Sequence, residues 1–578
     1  MTRPPLTALA VVLAFLASPG QAQEAQPETT TALAERASVT AEDFMVATAH
    51  PLATQAGYEV LAAGGSAADA AVAVQMMLGL VEPQSSGLGG GAFLLYWNAA
   101  LGELTTFDGR ETAPATAEPG YWLAPDGTAV GFWDGVVGGR SVGVPGTPKL
   151  MEEIHARYGR VPWADLLAPA IDTAEAGFEI SQRMADAIVE GQEQRLDAFP
   201  AVKAYFFDDD GSPKAEGSLL RNPAYARTLR LLAAEGTAPF YTGSIARDIV
   251  AAVRTETNPG ELTLADLAGY QVRERAPVCL DYRAYEVCGM GPPSSGALTV
   301  GQILGILSHW DLGRPGANTD IDHLFIEASK LAYADRGLYM ADSDFVKMPA
   351  GLLDPAYLES RAALIDPGAA MGTAAPGEPP WEETRLYGPS ADQPEFGTSH
   401  FVIVDRYGDM VSATTTIETG FGSRVMVDGF LLNNELTDFS FEPEADGKPV
   451  ANRVEGGKRP RSSMAPTIVL ENGEPRLLIG SPGGSRIIEY VAQSLIGILD
   501  LGLDPQEAID RPHVVNRNSD TTEVEEGPGA EATIARLATF GHAAEAANLN
   551  SGLHAILIGD GTLTGAADKR REGLAMGD

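Results

Sequence analysis

Two short glycine- and serine-rich stretches in the last third of the sequence contain groups that could carry chemistry. A strand-like run at 476–480 leads into Ser-Pro-Gly-Gly-Ser-Arg at 481–486, and a helical pattern follows over 487–501. This order places the peptide N–H groups of Gly483 and Gly484 at a helix N-terminus, where unpaired donors and the helix dipole favour negative charge. The loop therefore predicts a site for a phosphate or a developing oxyanion, with a plain tight turn as the alternative.

Side-chain hydroxyls are the second set of candidates. Ser462 and Ser463 precede a strand-like run at 464–470, so two hydroxyls could face a pocket at the start of one strand. The eight histidines are scattered and form neither an HExxH pattern nor a close pair. The sequence therefore favours neither a metal site nor a sequence-local catalytic triad.

A further glycine-rich loop, at 86–91, joins an alanine-rich helical pattern within 58–81 to a strand-like run at 92–97. A dinucleotide-binding loop needs the opposite order, strand before helix. Close backbone packing is therefore predicted for this loop, and no organic cofactor is implied.

The elements that would position these groups change type along the chain. Helical patterns occupy the middle of the sequence, at 148–158, 163–177, 222–235, 244–257 and 320–338. Strand-like runs follow the proline-rich stretch at 366–395 and predict a change to β-structure.

The first of these runs predict a β-hairpin. Segments 399–404 and 410–417 flank Asp-Arg-Tyr-Gly-Asp, the composition of a hairpin turn. If the hairpin is symmetric about Tyr407, Thr398 faces Thr416, and a register slip of one residue would destroy that pairing.

Composition limits the function classes. The 578 residues are 44% hydrophobic and 20% charged, which is typical of a folded soluble protein. The net charge of −38 opposes association with phosphate backbones, so no nucleic-acid partner is expected.

The N-terminus predicts export. Arg3 precedes an apolar run at 6–17 and a small-residue stretch ending at Ala22, which predicts a signal peptide over 1–22 and a periplasmic or secreted protein. No run reaches the roughly 20 apolar residues of a membrane span, so none is expected in the mature form. Residues 23–40 are polar and predict a disordered lead-in.

The only two cysteines, Cys279 and Cys288, lie in an alternating pattern on either side of a two-residue turn at 283–284. They face each other across the predicted hairpin, and export favours a disulfide between them. Two free core thiols are the alternative.

Taken together, these segments resemble the gamma-glutamyltransferases of the N-terminal nucleophile hydrolase superfamily. The similarity extends over nearly the whole mature chain and rests on several long motifs in the right order. These motifs are Gly65–Ala71, Ser86–Phe93, Asp108–Glu111, Glu327–Arg336, Gly397–His400, Leu431–Ser440, Arg459–Met464, Gly480–Arg486 and Asp568–Gly573.

The resemblance implies an α+β fold, the four-layer αββα sandwich, in a precursor that cuts itself between Gly397 and Thr398. A large subunit, 41–397, and a small subunit, 398–578, then form one αββα unit as a heterodimer. No cofactor and no metal are implied.

For catalysis, the resemblance implies that Thr398 is the nucleophile and that its own freed α-amino group is the base. A free α-amino group titrates at about 7.7 to 8.0, so no histidine is required. Thr416 would hydrogen-bond to Thr398, and Gly483 and Gly484 would form the oxyanion hole.

For substrate binding, the resemblance implies that Arg110, Ser462 and Ser463 hold the α-carboxylate of a small gamma-glutamyl substrate. Glu435 and Asp438 would hold its α-ammonium.

Two departures from the family pattern concern the same site. Glu418 stands where many relatives have asparagine near the ammonium, so it is a further candidate ligand. Segment 439–461 contains no Tyr or Trp, whereas some relatives have an aromatic lid there, so an open site for larger acceptors is conceivable.

The expected reaction is gamma-glutamyl transfer from glutathione or another gamma-glutamyl compound, through Thr398, to water, an amino acid or a short peptide. One alternative is a glutaryl or cephalosporin acylase of the same fold, whose substrate lacks the α-ammonium. The other is a catalytically inactive periplasmic binding protein on this scaffold.

Overall fold

The computed structural model of the chain describes residues 34–313, 320–381, 386–390, 397–559 and 561–578. The predicted signal peptide and the predicted lead-in up to residue 33 lie outside the described residues. No described helix has both the length and the apolar composition needed to cross a bilayer.

The strands of the described residues are β1 (Val39–Ala41), β2 (Met45–Thr48), β3 (Gly91–Asn98), β4 (Glu103–Gly109), β5 (Phe178–Glu179), β6 (Leu219–Leu220), β7 (Arg273–Arg275), β8 (Val278–Tyr282), β9 (Tyr285–Gly289), β10 (Gly397–Val404), β11 (Met410–Glu418), β12 (Met426–Val427), β13 (Phe430–Leu431), β14 (Glu444–Ala445), β15 (Lys448–Pro449), β16 (Thr467–Glu471), β17 (Glu474–Gly480), β18 (Val514–Val515), β19 (Thr521–Glu525), β20 (Ala543–Ala547), β21 (His554–Ile558), β22 (Leu563–Ala567) and β23 (Leu574–Gly577).

The helices are α1 (Pro51–Ala62), α2 (Ala67–Val81), α3 (Phe132–Val136), α4 (Thr147–Tyr158), α5 (Trp163–Ala176), α6 (Gln182–Glu193), α7 (Pro200–Phe206), α8 (Pro223–Glu235), α9 (Ala238–Tyr241), α10 (Ser244–Ala252), α11 (Leu264–Gly269), α12 (Gly296–Leu307), α13 (Ile321–Tyr339), α14 (Pro355–Ala362), α15 (Ile487–Leu499), α16 (Pro505–Ile509) and α17 (Ala530–Ala538). Short 3-10 turns occur at Glu435–Asp438 and Gly484–Arg486.

Two seven-stranded sheets form the centre of the fold. Sheet I has the order β23-β2-β10-β11-β3-β4-β7, and sheet II has the order β1-β22-β21-β17-β16-β9-β8. All neighbouring strands in both sheets are antiparallel. Strands β10 and β11 of sheet I lie against β17 and β21 of sheet II.

Alternation along β10 separates two hydrophobic cores. Phe401 and Ile403 pack with α1, α2 and α5 on the outer face of sheet I. Val402 and Val404 point the other way, into a core shared by both sheets and by α12, α13 and α15. Because successive strand side chains face opposite sides, one strand serves both cores. The result is helix, sheet, sheet, helix, and the predicted four-layer αββα architecture is confirmed.

The five helices predicted in the middle of the chain are all present, as α4, α5, α8, α10 and α13. The largest difference is in α10, which ends at Ala252 although the pattern predicts helix to residue 257. The Gly260 N–H donates a hydrogen bond to Val253 O at 2.7 Å, so the chain folds back just after the helix ends.

Both predicted hairpin registers are confirmed. Thr398 lies opposite Thr416 in the β10–β11 pair. Cys279 lies opposite Cys288 in the β8–β9 pair, and the structure joins their sulfurs in a disulfide.

Candidate active site

The end of the β10–β11 hairpin contains the predicted cleavage point. Gly397 and Thr398 are consecutive in β10, and the register shifts between them, so that Gly397 lies opposite Glu418 and Thr398 opposite Thr416. Thr398 is 4% exposed. Among the residues that the structure describes, its hydroxyl has no hydrogen-bond partner. That hydroxyl is therefore available to attack a carbonyl carbon.

The facing strand holds the Gly397 carbonyl. The Thr416 hydroxyl donates to Gly397 O at 2.8 Å and accepts from Glu418 N at 2.8 Å. The implied hydrogen bond between Thr416 and Thr398 is not present among the described residues, because the hydroxyl is engaged at the carbonyl of the same peptide bond. A donor in this position stabilises the negative charge that forms when a nucleophile attacks the carbonyl.

The backbone of this corner is strained and closely packed. Glu418 has a φ of 76°, which is uncommon for a residue with a side chain and costs about 1–3 kcal/mol. A Cβ at position 397 would lie 2.8 Å from Glu418 O and 3.1 Å from Gln84 O. Only glycine fits at 397 without displacing main-chain atoms.

Three carboxylates and one guanidinium form a buried cluster beside this corner. Glu418, Glu435 and Asp438 each bring one carboxylate oxygen to within 4.8 Å of the others. Arg110 forms ion pairs with Glu435 and Asp438. All four residues are buried. Arg110, which is predicted to bind the substrate α-carboxylate, thus contacts Glu435 and Asp438, which are predicted to bind its α-ammonium. The resemblance did not imply this contact.

Arg110 also joins this cluster to the two predicted serines. Its guanidinium donates to Pro460 O at 3.3 Å and to Arg461 O at 3.1 Å, immediately before Ser462 and Ser463. The structure therefore brings all six predicted substrate-binding residues into one region.

Burial and neighbouring charges shift the pKa values of two groups in the cluster. Burial lowers the pKa of Arg110, but Glu435 and Asp438 raise it by more, so Arg110 stays charged. Burial and the nearby Glu435 raise the pKa of Glu111 well above its ordinary value. The carboxylates of Glu418, Glu435 and Asp438 are the groups of this cluster that could pair with an ammonium group.

The predicted glycine loop has the geometry of an anion site. Gly483 and Gly484 have φ of 132° and 60°; Gly483 precedes, and Gly484 begins, the 3-10 turn that leads into α15. In the described part of the chain, neither N–H of this pair donates to an acceptor. A Cβ at Gly483 would lie 2.7 Å from the Tyr490 ring. Two adjacent unpaired donors could stabilise an oxyanion.

Arg571 links the glycine loop to Thr398. Its guanidinium donates to Thr398 O and to Asn550 O, each at 3.4 Å. Asn550 O in turn lies 3.9 Å from the position of a Cβ at Gly483. Arg571 and Glu111 both lie inside family motifs, but no local sequence pattern assigns either residue a role, because their partners are distant along the chain.

A small pocket opens next to the predicted cleavage point. Gly397, Gly420, Phe421 and Gln194 contribute to its lining. Its lining includes Gly397 but not Thr398, so it lies on the Gly397 side of the 397–398 peptide.

Segment 439–461 folds back onto the large predicted subunit. Phe441 stacks on Trp122 with ring centroids 4.8 Å apart. Asn452 fixes the segment to the acid cluster, since its side-chain amide donates to Asp438 O at 2.7 Å. The segment lacks Tyr and Trp, but a phenylalanine supplies its aromatic contact.

Three groups in the described residues have the ligand types of a metal site, and each is already engaged by the chain. Cys279 and Cys288 of the first are in the disulfide. Glu327 of the second pairs with Lys330, and the third is the cluster around Arg110.

Glu489, in the helix after the glycine loop, predicts a pH dependence of stability. Burial raises its pKa from 4.5 to about 8. Between these values the unfolded chain loses the proton while the folded chain keeps it, so stability falls as pH rises. Glu489→Gln carries no such proton and retains an acceptor for Asn516 N, which lies 2.7 Å from Glu489 Oε1.

We therefore expect Glu489→Gln to match wild type near pH 4 and to become progressively more stable than wild type up to about pH 8. The thermal unfolding midpoints of both proteins across this range measure the difference. Parallel curves at all pH values would contradict the assignment.

Comparisons with known proteins place this geometry in context. The sequence profile described as Gamma-glutamyltranspeptidase matches residues 53–578. The glutathione hydrolase proenzyme of Bacillus subtilis is 37% identical, over 93% of this chain and 92% of its own. The acylase ACY 1 proenzyme of Pseudomonas sp. is 37% identical, over 92% of this chain and 93% of its own. A cephalosporin acylase structure from Bacillus halodurans superposes with a TM-score of 0.82 at 28% identity, covering 94% of this chain and 97% of that one.

Proposed function

The chain belongs to the gamma-glutamyltranspeptidase family, and from this premise we propose that it is a self-processing gamma-glutamyltransferase and glutathione hydrolase. Its donors are glutathione and other gamma-glutamyl compounds, and its acceptors are water, amino acids and short peptides. Residues 1–22 are removed on export, and the products of self-cleavage, 23–397 (with its folded part 41–397) and 398–578, remain together as a heterodimer.

The proposed processing step uses the corner at Gly397. The Thr398 hydroxyl attacks the Gly397 carbonyl carbon, the C–N bond of that peptide breaks, and water hydrolyses the resulting ester. This releases a carboxylate on Gly397 and a free amine on Thr398. The hydrogen bond from Thr416 to the carbonyl, at 2.8 Å, and the strained backbone of Glu418 support this step.

The proposed turnover uses the same hydroxyl. The new α-amino group accepts the Thr398 proton, the hydroxyl attacks the γ-carbonyl of the donor, and the amine leaving group departs with a proton. The N–H groups of Gly483 and Gly484 stabilise the oxyanion. Water or an amine acceptor then attacks the gamma-glutamyl ester.

One observation supports the choice of a gamma-glutamyl donor: three buried carboxylates lie together beside Arg110, so groups suited to an ammonium and to a carboxylate are adjacent. Glu418, Glu435 and Asp438 bind the α-ammonium of the donor. Arg110, Ser462 and Ser463 bind its α-carboxylate. These carboxylates could form no ion pair with a donor that lacks an ammonium group.

A glutaryl or cephalosporin acylase is the second candidate, because relatives named as acylases match as well as those named as glutathione hydrolases. A glutaryl amide has the same chain length and a carboxylate, but it lacks the ammonium. The acid cluster would repel it.

The test uses the full chain without its predicted signal peptide. Intact-mass analysis should show two polypeptides that divide at 397–398, and γ-glutamyl-p-nitroanilide should be hydrolysed at least about 100-fold faster than glutaryl-p-nitroanilide, in keeping with a lost charge-assisted contact. The reverse preference would establish the acylase. A single uncut polypeptide that binds but does not cleave either donor would indicate the inactive binding protein.

A further inference from the structure

Arg336, in α13, is a buried guanidinium that contacts the predicted carboxylate-binding serines. The residue has 0% exposure. Its Nε donates to Ser295 Oγ at 2.9 Å, and its Nη2 donates to Ser463 Oγ at 2.7 Å. The planar fork of arginine thus holds two hydroxyl oxygens at once.

The Ser295 branch extends to the other serine. Ser295 donates to Ser462 O twice, from its backbone N at 2.8 Å and from its hydroxyl at 2.7 Å. The guanidinium therefore fixes the main chain at Ser462 through Ser295 and fixes the hydroxyl of Ser463 directly. Arg461 closes the loop by donating to Arg336 O at 3.2 Å.

These contacts determine where the serine protons point. An arginine N–H can only donate, so Ser463 Oγ accepts from Arg336 and keeps its own proton for another partner. Ser462 Oγ likewise accepts from Met464 N at 3.1 Å. Neither serine hydroxyl donates to an acceptor within the described residues. Two hydroxyl donors are therefore held ready for an anion.

The serine hydroxyls matter more for binding a carboxylate because the guanidinium of Arg110 already contacts two acidic side chains. Its Nη1 donates to Glu435 and its Nη2 donates to Asp438. A carboxylate that enters this site meets a guanidinium already shared with two acids. The serine hydroxyls must then supply much of the recognition.

We propose that Arg336 is a positioning residue for recognition of the donor α-carboxylate, acting through Ser463 directly and through Ser295 on Ser462. This inference rests on the proposed function. Arg336 orients both hydroxyl donors, and its charge next to Ser463 Oγ makes that hydroxyl a stronger donor to an anion.

The test compares two donors that differ only in the α-carboxylate. These are γ-glutamyl-p-nitroanilide and 4-aminobutyryl-p-nitroanilide, which keeps the amine and the scissile amide. Arg336→Met should raise KM for the first about 10- to 100-fold with a smaller change in kcat, as expected for loss of hydrogen bonds to a charged group. For the second donor, kcat/KM should stay within about twofold of wild type.

A double-mutant cycle identifies the route. On a Ser463→Ala background, Arg336→Met should have less than about half of its effect in logarithmic units, because the interaction that it supports is already lost. Arg336→Lys should recover part of the lost affinity, and Ser295→Ala should show a weaker, equally carboxylate-selective loss. If Arg336→Met fails to accumulate as folded protein, the lysine and Ser295 variants carry the same test.

Arg361→Lys is the matched control, since Arg361 is a buried arginine that contacts α13 through Leu331 O at 3.0 Å and not the serines. Equal losses on both donors, or full additivity with Ser463→Ala, would overturn the inference while leaving the proposed function intact. A wild-type protein that does not hydrolyse γ-glutamyl-p-nitroanilide would instead overturn the proposed function.

Discussion

Thr398→Ala is expected to leave the precursor uncut and to lower hydrolysis of γ-glutamyl-p-nitroanilide by at least about 10⁴-fold, the scale of loss when a catalytic nucleophile is removed. The variant has neither the hydroxyl for attack on Gly397 nor the nucleophile for turnover, and no free amine forms at residue 398. Intact-mass analysis and anilide release measure the two losses separately.

Two variants delimit this result. Thr398→Ser retains a hydroxyl and should still cleave and turn over, although more slowly. Ser399→Ala removes the adjacent hydroxyl, which donates to Glu82 Oε2 at 2.7 Å and so lies in a different environment. It should keep both activities within about tenfold, since exchanging a polar contact of this kind typically costs about 1 kcal/mol. Cleavage at 397–398 in Thr398→Ala would eliminate the threonine mechanism.

Thr416→Val is expected to slow self-cleavage by about 10²- to 10³-fold, the usual loss when one donor to a developing oxyanion is removed. The Thr416 hydroxyl donates a hydrogen bond to Gly397 O at 2.8 Å. Valine keeps the branched shape in the middle of sheet I but cannot donate. The half-time for conversion of precursor into two polypeptides, followed by intact mass, measures the change.

The matched control is Thr415→Val, the same substitution one residue earlier in β11. Thr415 is also buried, and its hydroxyl donates to Gly91 O at 3.3 Å, away from the cleavage point. It should process at close to the wild-type rate. If Thr416→Val and Thr415→Val slow cleavage equally, the effect comes from strand packing and the assigned role of Thr416 is wrong.

Features set by local pattern could be predicted from the sequence. The pairing of Thr398 with Thr416 follows from a symmetric turn at Tyr407, and the pairing of Cys279 with Cys288 follows in the same way. Register in both hairpins depends on residues within about twenty positions of each other, and alternation with a turn signal specifies such pairs.

Features set by distant contacts could not be predicted in this way. The ion pairs of Arg110 with Glu435 and Asp438 join residues more than 300 positions apart. The contact between Arg336 and Ser463 spans 127 positions and joins a helix to a loop before a strand. Pattern and propensity carry no information on such pairs. The family resemblance supplied the list of residues, but not which of them touch.

The backbone at Glu418 shows a second limit. The residue was singled out for its charge, yet the structure adds a left-handed conformation and a position opposite Gly397. Sequence patterns for turns favour glycine or asparagine at positive φ. No local sequence pattern predicts a positive φ at a glutamate. The conformation is explained only by the register shift between Gly397 and Thr398 in β10.

The strand order of the two sheets has a consequence for the life of the protein. In sheet I, β2 lies between β23 and β10, and the pair β10-β11 lies between β2 and β3; in sheet II, the block β22-β21-β17-β16 lies between β1 and β9. Each side of position 397 therefore contributes strands that are enclosed by strands from the other side. If the chain is cut there, the two fragments can part only by tearing both sheets open. Neither fragment alone would then have complete sheets, because β1, β2 and β23 would have no partner strand and the other strands at the boundary would have an open edge. Such a protein can be assembled only once, before it is cut, and a heat-denatured mature sample should fail to regain activity on cooling where an uncut variant recovers its fold.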